Sequence, residues 1–243
     1  MENPIEVLKT FLSIPLWHSE GVFEIFKKLQ PHIYRENPAN SLERFLYIEG
    51  TRPDKVVLVA HADTFFDQRY GFPQVDHTLD ERDGAIYSIN EGNIGLGADD
   101  RAGCAILWLL RNSGHSLLIT DGEEDGCLGS TWLSNHNPDI SERINAHQFM
   151  IQVDRRNSRD FKCYEVGTPE FREFIQAETG YTEPDRKSRT DIVELCKTVC
   201  GVNFSIGYYD EHKETERLVV DEWLHTLNML TGFLTKELKR FER

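Results

Sequence analysis

Acidic and histidine side chains directly follow each of several apolar runs in this chain. The runs are VVLVA, SLLIT, FMIQV and NFSIGYY, and a further acidic pair opens an apolar helical pattern. The side chains at these places are His61, Asp63, Asp99, Asp100, Glu123, Glu124, Asp154, Asp210, Glu211 and His212. Imidazole and carboxylate groups are ligands that proteins offer to zinc, and a carboxylate is able to bridge two ions. The ordered set therefore predicts a two-metal site.

Each of these signals taken alone has an ordinary structural explanation. A His-x-Asp at the end of a strand is typical of a hydrogen-bonded loop pair, and Asp-Asp before a helix is typical of an N-terminal cap. Adjacent glutamates are typical of a solvated loop. Their combination is more informative, because so many carboxylates at one sheet edge repel one another unless a cation neutralises them or their pKa values rise.

The elements that must position these side chains read as alternating strands and helices. Strands are predicted at 44 to 49, 55 to 60, 85 to 89, 116 to 120, 148 to 153 and 202 to 209. This alternation predicts an α/β fold, with a central, mostly parallel or mixed sheet sandwiched by helices. Functional groups in such folds gather beyond the carboxyl ends of the strands, which is where the acids and histidines fall.

Helical spacing of apolar residues predicts the covering layers. Two helices flank Pro15, another begins at GADDRAG, and others are expected near 127 to 135, 168 to 179 and 190 to 200. A long final helix is predicted from the apolar stripe between Trp223 and Phe241. The polar, turn-rich stretch from 64 to 98 is interpreted as an excursion over the surface.

Composition excludes several classes of protein. The 243 residues carry a net charge of −14, which repels nucleic acid and anionic membrane surfaces, so neither is expected as a partner. No apolar stretch is long enough to span a membrane, and the acidic start does not resemble a signal peptide, so a cytoplasmic protein is expected. Five scattered cysteines without a CxxC pair indicate neither a disulfide framework nor a thiolate zinc site.

HAD, GADDRAG, GEEDG, the aspartate after FMIQV and IGYYDEH, in this order, resemble the di-zinc exopeptidases over roughly residues 55 to 235. That group contains bacterial leucyl aminopeptidase and peptidase T. The resemblance implies that His61, Asp99 and Asp154 hold one zinc ion, and that Glu124 and His212 hold a second. Asp99 is then the bridge between the two ions.

The same resemblance implies roles for two further acids. Glu123 matches the general base of the family, and Asp63 matches the acid that orients the His61 ring. Glu123 and Glu124 are adjacent and cannot both face one metal in a regular strand, because successive side chains alternate faces. We therefore expect a turned segment there, which Gly122 and Gly126 permit.

The segments between the expected ligands are too short to hold an inserted domain of about 100 residues. We therefore expect one catalytic domain over residues 1 to 243, without a lid, as in the single-domain leucyl aminopeptidases. The oligomeric state is left open by the sequence.

The leading functional prediction is a zinc-dependent aminopeptidase that acts on a peptide or small amide. Asp210 and Glu211 are candidates for attracting the cationic α-amine of the substrate. A carboxypeptidase or a deacylase of N-acyl amino acids stays open, because Arg101, Arg155 and Arg156 adjoin expected ligands. An amidohydrolase or cyclase with a single zinc ion also stays open, as does a metal-stabilised binding protein without turnover.

Overall fold

A computed structural model of the chain describes residues 2–67, 69, 71–92, 94–185 and 189–243. Among these residues the α-helices are α1 Pro4–Leu12, α2 Glu20–Phe26, α3 Ala98–Leu110, α4 Leu128–His136, α5 Pro138–Asn145, α6 Pro169–Thr179, α7 Asp191–Leu195 and α8 Val220–Phe233. The strands are β1 Ile33–Asn37, β2 Asn40–Ile48, β3 Val57–His61, β4 Thr78–Arg82, β5 Ala85–Ile89, β6 Ser116–Thr120, β7 Met150–Arg155, β8 Phe161–Lys162, β9 Gly201–Ser205, β10 Tyr208–Tyr209 and β11 Arg217–Val219.

These strands form two sheets. The larger has seven strands in the order β1-β2-β6-β3-β7-β9-β8, and the smaller has four in the order β10-β11-β5-β4. Strands β6, β3, β7 and β9 are parallel and lie at the centre of the larger sheet, while β1, β2 and β8 pair antiparallel at its edges. The carboxyl ends of the four parallel strands therefore meet at one edge of the sheet.

Both faces of the larger sheet are covered. Val57 and Val59 of β3 join one apolar cluster, whereas Leu58 and Ala60 join the other. Helices α1, α3 and α8 contribute to the cluster that contains Leu58, and α4, α5 and α7 contribute to the opposite one. This three-layer arrangement confirms the predicted α/β fold with a mixed sheet, and it explains why the central strands are continuous apolar runs.

Local sequence signals fix several helix ends. Asn3 caps α1 by accepting a hydrogen bond from the Ile5 amide, and Thr168 caps α6 by accepting one from the Phe171 amide. A proline follows each cap at the first helical position, where its missing N–H has no partner to lose. Helix α6 ends at Gly180 in the left-handed conformation, a common helix terminator.

The strand predicted over 202 to 209 is instead two strands in different sheets. β9 ends at Ser205, and the chain turns at Gly207, whose φ of +87° favours glycine. A Cβ at Gly207 would also lie 2.8 Å from the Glu222 side chain. β10 then pairs with β11 in the smaller sheet, so His212 follows a strand of that sheet rather than a central parallel strand.

Two predicted helices are shorter than expected. The final helix ends at Phe233, although the apolar stripe continues through Leu238 and Phe241. Leu238 and Phe241 are buried although they lie outside the helix. The Leu238 N–H donates to the Asp54 carboxylate, and the Phe241 N–H donates to the Gln148 carbonyl. Helix α7 ends at Leu195 instead of extending to residue 200. The elements β1, β4, β8, β11 and α5 are short or lack an apolar alternation, and they were not predicted from the sequence.

The stretch from 64 to 98 supplies β4 and β5, which pair antiparallel within the smaller sheet. Three residues of this stretch, Gln68, Tyr70 and Asn93, lie outside the described residues. Within the described part of the chain, no helix is long and apolar enough to cross a membrane. The five cysteines are free and buried.

Candidate metal centre

The carboxyl edge of the central sheet collects side chains from several elements. His61 is the last residue of β3, Asp154 is the next-to-last residue of β7, and Glu123 and Glu124 follow β6. Asp99 lies at the start of α3, and His212 lies in the loop between β10 and β11. The structure thus brings together every residue that the sequence analysis named as a metal ligand.

Three of these side chains form one compact group. His61 Nε2 lies 3.2 Å from Asp99 Oδ1 and 3.4 Å from Asp154 Oδ1. One nitrogen or oxygen atom from each of the three residues lies within 4.8 Å of the others, close enough for all to contact one ion. His61 is completely buried, so its ring has no alternative partner in bulk water.

A second group shares one residue with the first. His212 Nε2 lies 3.0 Å from Glu124 Oε2 and 3.4 Å from Asp99 Oδ2. The His212 ring also stacks on Phe65, with the ring centroids 4.4 Å apart and the planes 11° from parallel. Asp99 therefore directs one carboxylate oxygen toward each histidine, which is the geometry of a residue able to bridge two cations.

The electrostatics of the two groups suit positive charge. Burial raises the pKa of Asp99, but hydrogen bonds from His212 and His61 outweigh it and hold that pKa well below its usual range. Burial lowers the pKa of His212, yet Asp99 and Glu124 raise it to about 11. Burial and repulsion by Asp99 raise the pKa of Asp154 to about 7. These shifts report an excess of buried carboxylate that a cation is able to neutralise.

One buried atom adds to this fit. Among the described residues, Glu124 Oε1 is buried and has no hydrogen-bond partner. A buried carboxylate oxygen without a partner is unfavourable unless a cation lies beside it. The donor set of two imidazoles and three carboxylates is also the kind that zinc binds.

Asp63 contacts His61 and also the backbone of Glu123 and Glu124. Its Oδ1 atom lies 3.3 Å from His61 Nδ1, the ring nitrogen that faces away from Asp99. Its two oxygens also accept hydrogen bonds from the backbone N–H groups of Glu123 and Glu124, at 3.2 and 3.1 Å. Asp63 is fully buried, so it fixes the His61 ring and the turn that follows β6 at the same time.

The turn after β6 is the one that the adjacent glutamates require. Gly122 and Gly126 both have left-handed backbones, with φ of +68° and +86°. Glu124 thereby joins the second group, while Glu123 faces the same pocket outside both groups. Burial raises the pKa of Glu123 well above its usual value, and the neighbouring Asp154 carboxylate adds to the effect.

These side chains face an open pocket of about 150 Å³. Its wall comprises Asp99, Glu123, Glu124, Asp154, Arg155, Arg156, Tyr164, Arg189, Thr190, Asn203, Tyr208, Glu211 and His212. Five of these residues are acidic and three are arginines. Each arginine has an acidic partner, namely Asp160, Glu211 and Glu194 for Arg155, Arg156 and Arg189.

The candidates for attracting a substrate amine are already engaged in ion pairs. Asp210 pairs with Arg217 and lies 3.4 Å from Lys213, while Glu211 pairs with Arg156. Arg101, one of the arginines named from the sequence, is completely buried and donates to the carbonyls of Pro15 and His18. It is not part of the pocket wall.

The hydrogen-bond partners of Asp154 were not predicted from the sequence. Gln152 Nε2 and Thr190 Oγ1 donate to Asp154 Oδ2 at 2.9 and 2.8 Å. Asn203 Oδ1 accepts the hydrogen bond from the Asp154 backbone at 2.9 Å. Gln152 and Asn203 are polar residues inside otherwise apolar central strands, and that contrast was the available signal.

Similar solved structures include aminopeptidase PepT from Bacillus cereus, with a TM-score of 0.66 and 13% identity, over 96% of this chain and 98% of that one. A tripeptidase from Staphylococcus aureus gives a TM-score of 0.67 and 14% identity over the same shares of both chains. The chain has the fold of these peptidases. The TET1 peptidase of Pyrococcus horikoshii, which assembles into a tetrahedron or an octahedral shell, gives 0.57 and 12% identity over 97% of this chain and 100% of that one.

The peptidase fold agrees with the resemblance that the sequence motifs carry. No family model matches the sequence, and a search of curated proteins also found no match. At 12 to 14% identity the solved structures establish the fold, so the chemistry of this chain has to be argued from its own side chains.

Proposed function

We propose that the protein is a zinc-dependent exopeptidase, specifically an aminopeptidase that removes N-terminal residues from short peptides. The observation that carries this proposal is the pair of ligand groups that share Asp99 at the mouth of one pocket. A shared carboxylate between two histidine-containing groups is the arrangement expected of a two-metal hydrolytic site. The chain acts as one catalytic domain in this proposal.

The proposed ligands of the first zinc ion are His61, Asp99 and Asp154, and those of the second are Asp99, Glu124 and His212. The unpartnered buried Oε1 atom of Glu124 and the excess of buried carboxylate support this assignment. When bound, the ions supply a water nucleophile at neutral pH and polarise the scissile carbonyl.

Glu123 is the proposed general base and acid. Its carboxylate takes up one proton during attack on the peptide bond and donates it to the leaving amine. Burial raises the pKa of Glu123, which favours uptake of that proton. Asp63 holds the His61 ring and the backbone of Glu123 in place during these transfers.

Short peptides with a free N-terminus are the proposed substrates. Proteins of the same fold are an aminopeptidase and a tripeptidase, and the pocket of this chain is small and open on one side. Five carboxylates line the pocket, and a cationic α-amine is attracted to them.

A second candidate is a hydrolase that cleaves N-acyl amino acids or removes C-terminal residues. Arg156 and Arg189 favour it, because both line the pocket and a guanidinium is able to bind a substrate carboxylate in a bidentate manner. Both arginines already pair with an acid, which weakens this candidate relative to the first.

Mass spectrometry of a digested peptide decides between these functions. The zinc-loaded protein is incubated with a hexapeptide, with its N-acetylated form, and with an N-acetylated amino acid. Shortening from the N-terminus of the free peptide alone supports the aminopeptidase. Shortening from the carboxyl end, or cleavage of the acylated substrates, supports the second candidate. A Glu123→Gln variant and a chelated sample are the controls, and a wild-type protein that binds zinc without cleaving any substrate contradicts both proposals.

A further inference from the structure

Glu216 is a buried carboxylate that the proposed mechanism does not use. It precedes β11 and is 1% exposed. Its Oε2 atom accepts hydrogen bonds from the backbone N–H groups of Leu96 and Gly97, at 2.9 and 2.6 Å. Its Oε1 atom accepts one from the backbone N–H of Asp99, at 3.1 Å. One side chain therefore binds the whole turn that leads into α3.

This placement is unfavourable by itself. Among the described residues, no lysine or arginine forms an ion pair with Glu216. Burial and repulsion by the Asp99 carboxylate raise the pKa of Glu216 to about 8, so burying both groups is costly in the absence of a compensating charge. Three hydrogen bonds from backbone N–H groups offset part of this cost. Both side-chain oxygens accept, which the amide of a glutamine is unable to do.

The two segments that Glu216 joins are also in direct contact. A Cβ atom at Gly95 would lie 2.5 Å from the carbonyl oxygen of Lys213, which leaves no room for a side chain. Gly97 has a left-handed backbone with φ of +68°, and a Cβ there would lie 2.3 Å from Leu16 Cδ2. The turn over 95 to 97 is therefore packed against the loop over 210 to 216, which carries His212.

We propose that Glu216 is a positioning residue that sets the separation of Asp99 and His212. Its hydrogen bonds attach the turn before Asp99 to the loop that contains His212, four residues before Glu216. His212 Nε2 and Asp99 Oδ2 are 3.4 Å apart. The inference rests on the proposed function, because it concerns the ion held by Asp99, Glu124 and His212. The first group shares Asp99 but takes its histidine from β3, whereas the second group contains both Asp99 and His212, so the effect is larger for the second ion.

The test replaces Glu216 by glutamine and titrates the metal-free full-length protein with Co²⁺. Glutamine retains the shape of the side chain but directs an amide N–H₂ at a backbone N–H donor. Glu214→Gln is the matched control, because Glu214 lies on the same loop and is exposed. Visible absorption of bound Co²⁺ reports the coordination of each ion, and thermal unfolding of the metal-free proteins reports stability.

The expected result for Glu216→Gln is a 10- to 100-fold weaker second Co²⁺ dissociation constant, the usual range for residues that support a ligand. The first constant weakens less, because Asp99 alone of that group is displaced, and the Glu214→Gln protein stays close to wild type. A merely structural role predicts a lower unfolding temperature with both constants unchanged, and that result overturns the inference. If Glu216→Gln does not fold, Gly95→Ala takes its place, since its methyl group pushes the same turn away from Lys213.

Titration of the wild-type protein distinguishes a failure of the role of Glu216 from a failure of the proposed function. Two bound Co²⁺ ions in the wild type, with unchanged constants in the variants, overturn the role of Glu216 and leave the proposed function standing. A wild-type protein that binds fewer than two ions overturns the proposed two-metal site, and the role of Glu216 with it.

Discussion

Replacing Asp63 by asparagine tests how the centre is held in shape. The substitution keeps the size of the side chain but exchanges one acceptor oxygen for a donor. In the wild type, Oδ1 accepts from Glu123 N and lies 3.3 Å from His61 Nδ1, while Oδ2 accepts from Glu124 N. Neither orientation of the asparagine amide satisfies all three groups, because one of them always faces N–H₂.

The size of the effect follows from these contacts. A buried N–H that loses a charged acceptor costs about 1.5–3 kcal/mol. An N–H₂ group at the Oδ1 position faces Glu123 N and the His61 ring, and one at the Oδ2 position faces Glu124 N. Either orientation disturbs at least one ligand group, so most of this loss falls on the metal-bound state. We expect zinc affinity to fall by about 10- to 100-fold, which corresponds to about 1.4–2.7 kcal/mol. Catalytic turnover at saturating zinc falls as well, because Glu123 is no longer fixed.

Competition with a chromogenic chelator measures the zinc affinity of Asp63→Asn, and hydrolysis of an aminoacyl anilide measures its turnover. The matched control is Asp54→Asn, since Asp54 also accepts a backbone N–H, from Leu238, but pairs with Arg52 away from the centre. The control is expected to lose stability without losing zinc affinity. An Asp63→Asn protein with wild-type zinc affinity and turnover would refute the reasoning.

Three further outcomes are expected. Glu123→Gln retains zinc in elemental analysis but loses about 10²- to 10⁴-fold in turnover, and loss of zinc instead would exchange the roles of Glu123 and Glu124. Asp99→Asn lowers the zinc content more than His61→Ala or His212→Ala, since Asp99 contacts both groups, and an equal loss in all three would contradict its shared position. Burial lowers the pKa of His147 to about 4, so the unfolded chain binds a proton below pH 6.5 that the folded chain does not. The free energy of unfolding then falls by up to about 3 kcal/mol between pH 6.5 and 4. Urea unfolding of His147→Gln is expected to show a loss that is smaller by this amount, and a loss equal to that of the wild type would contradict the prediction.

The central strands could be predicted from the sequence because burial on both faces leaves a simple pattern. β3 and β6 are short apolar runs that end at polar residues, and the positions of His61, Glu123 and Glu124 at the sheet edge follow from that pattern. The turn after β6 was predictable as well, since adjacent glutamates facing one site need glycines nearby.

Residues whose partners are distant along the chain could not be predicted. Glu216 belongs to the polar run DEHKETE, which has the composition of a solvated loop, and its partners are backbone groups about 120 residues earlier. Phe65 stacks on His212 across almost 150 residues of sequence, a contact that no local pattern indicates. The end of α8 was not predicted, because Leu238 and Phe241 continue the apolar spacing of the helix. They are buried in the non-helical segment that follows it.

Anomalous diffraction from a zinc-loaded crystal, recorded at the zinc absorption edge, locates the bound ions. We expect two peaks about 3.5–4 Å apart, with Asp99 between them, one beside His61 and Asp154 and the other beside Glu124 and His212. A single peak, or zinc bound away from Asp99, would contradict the two-metal centre.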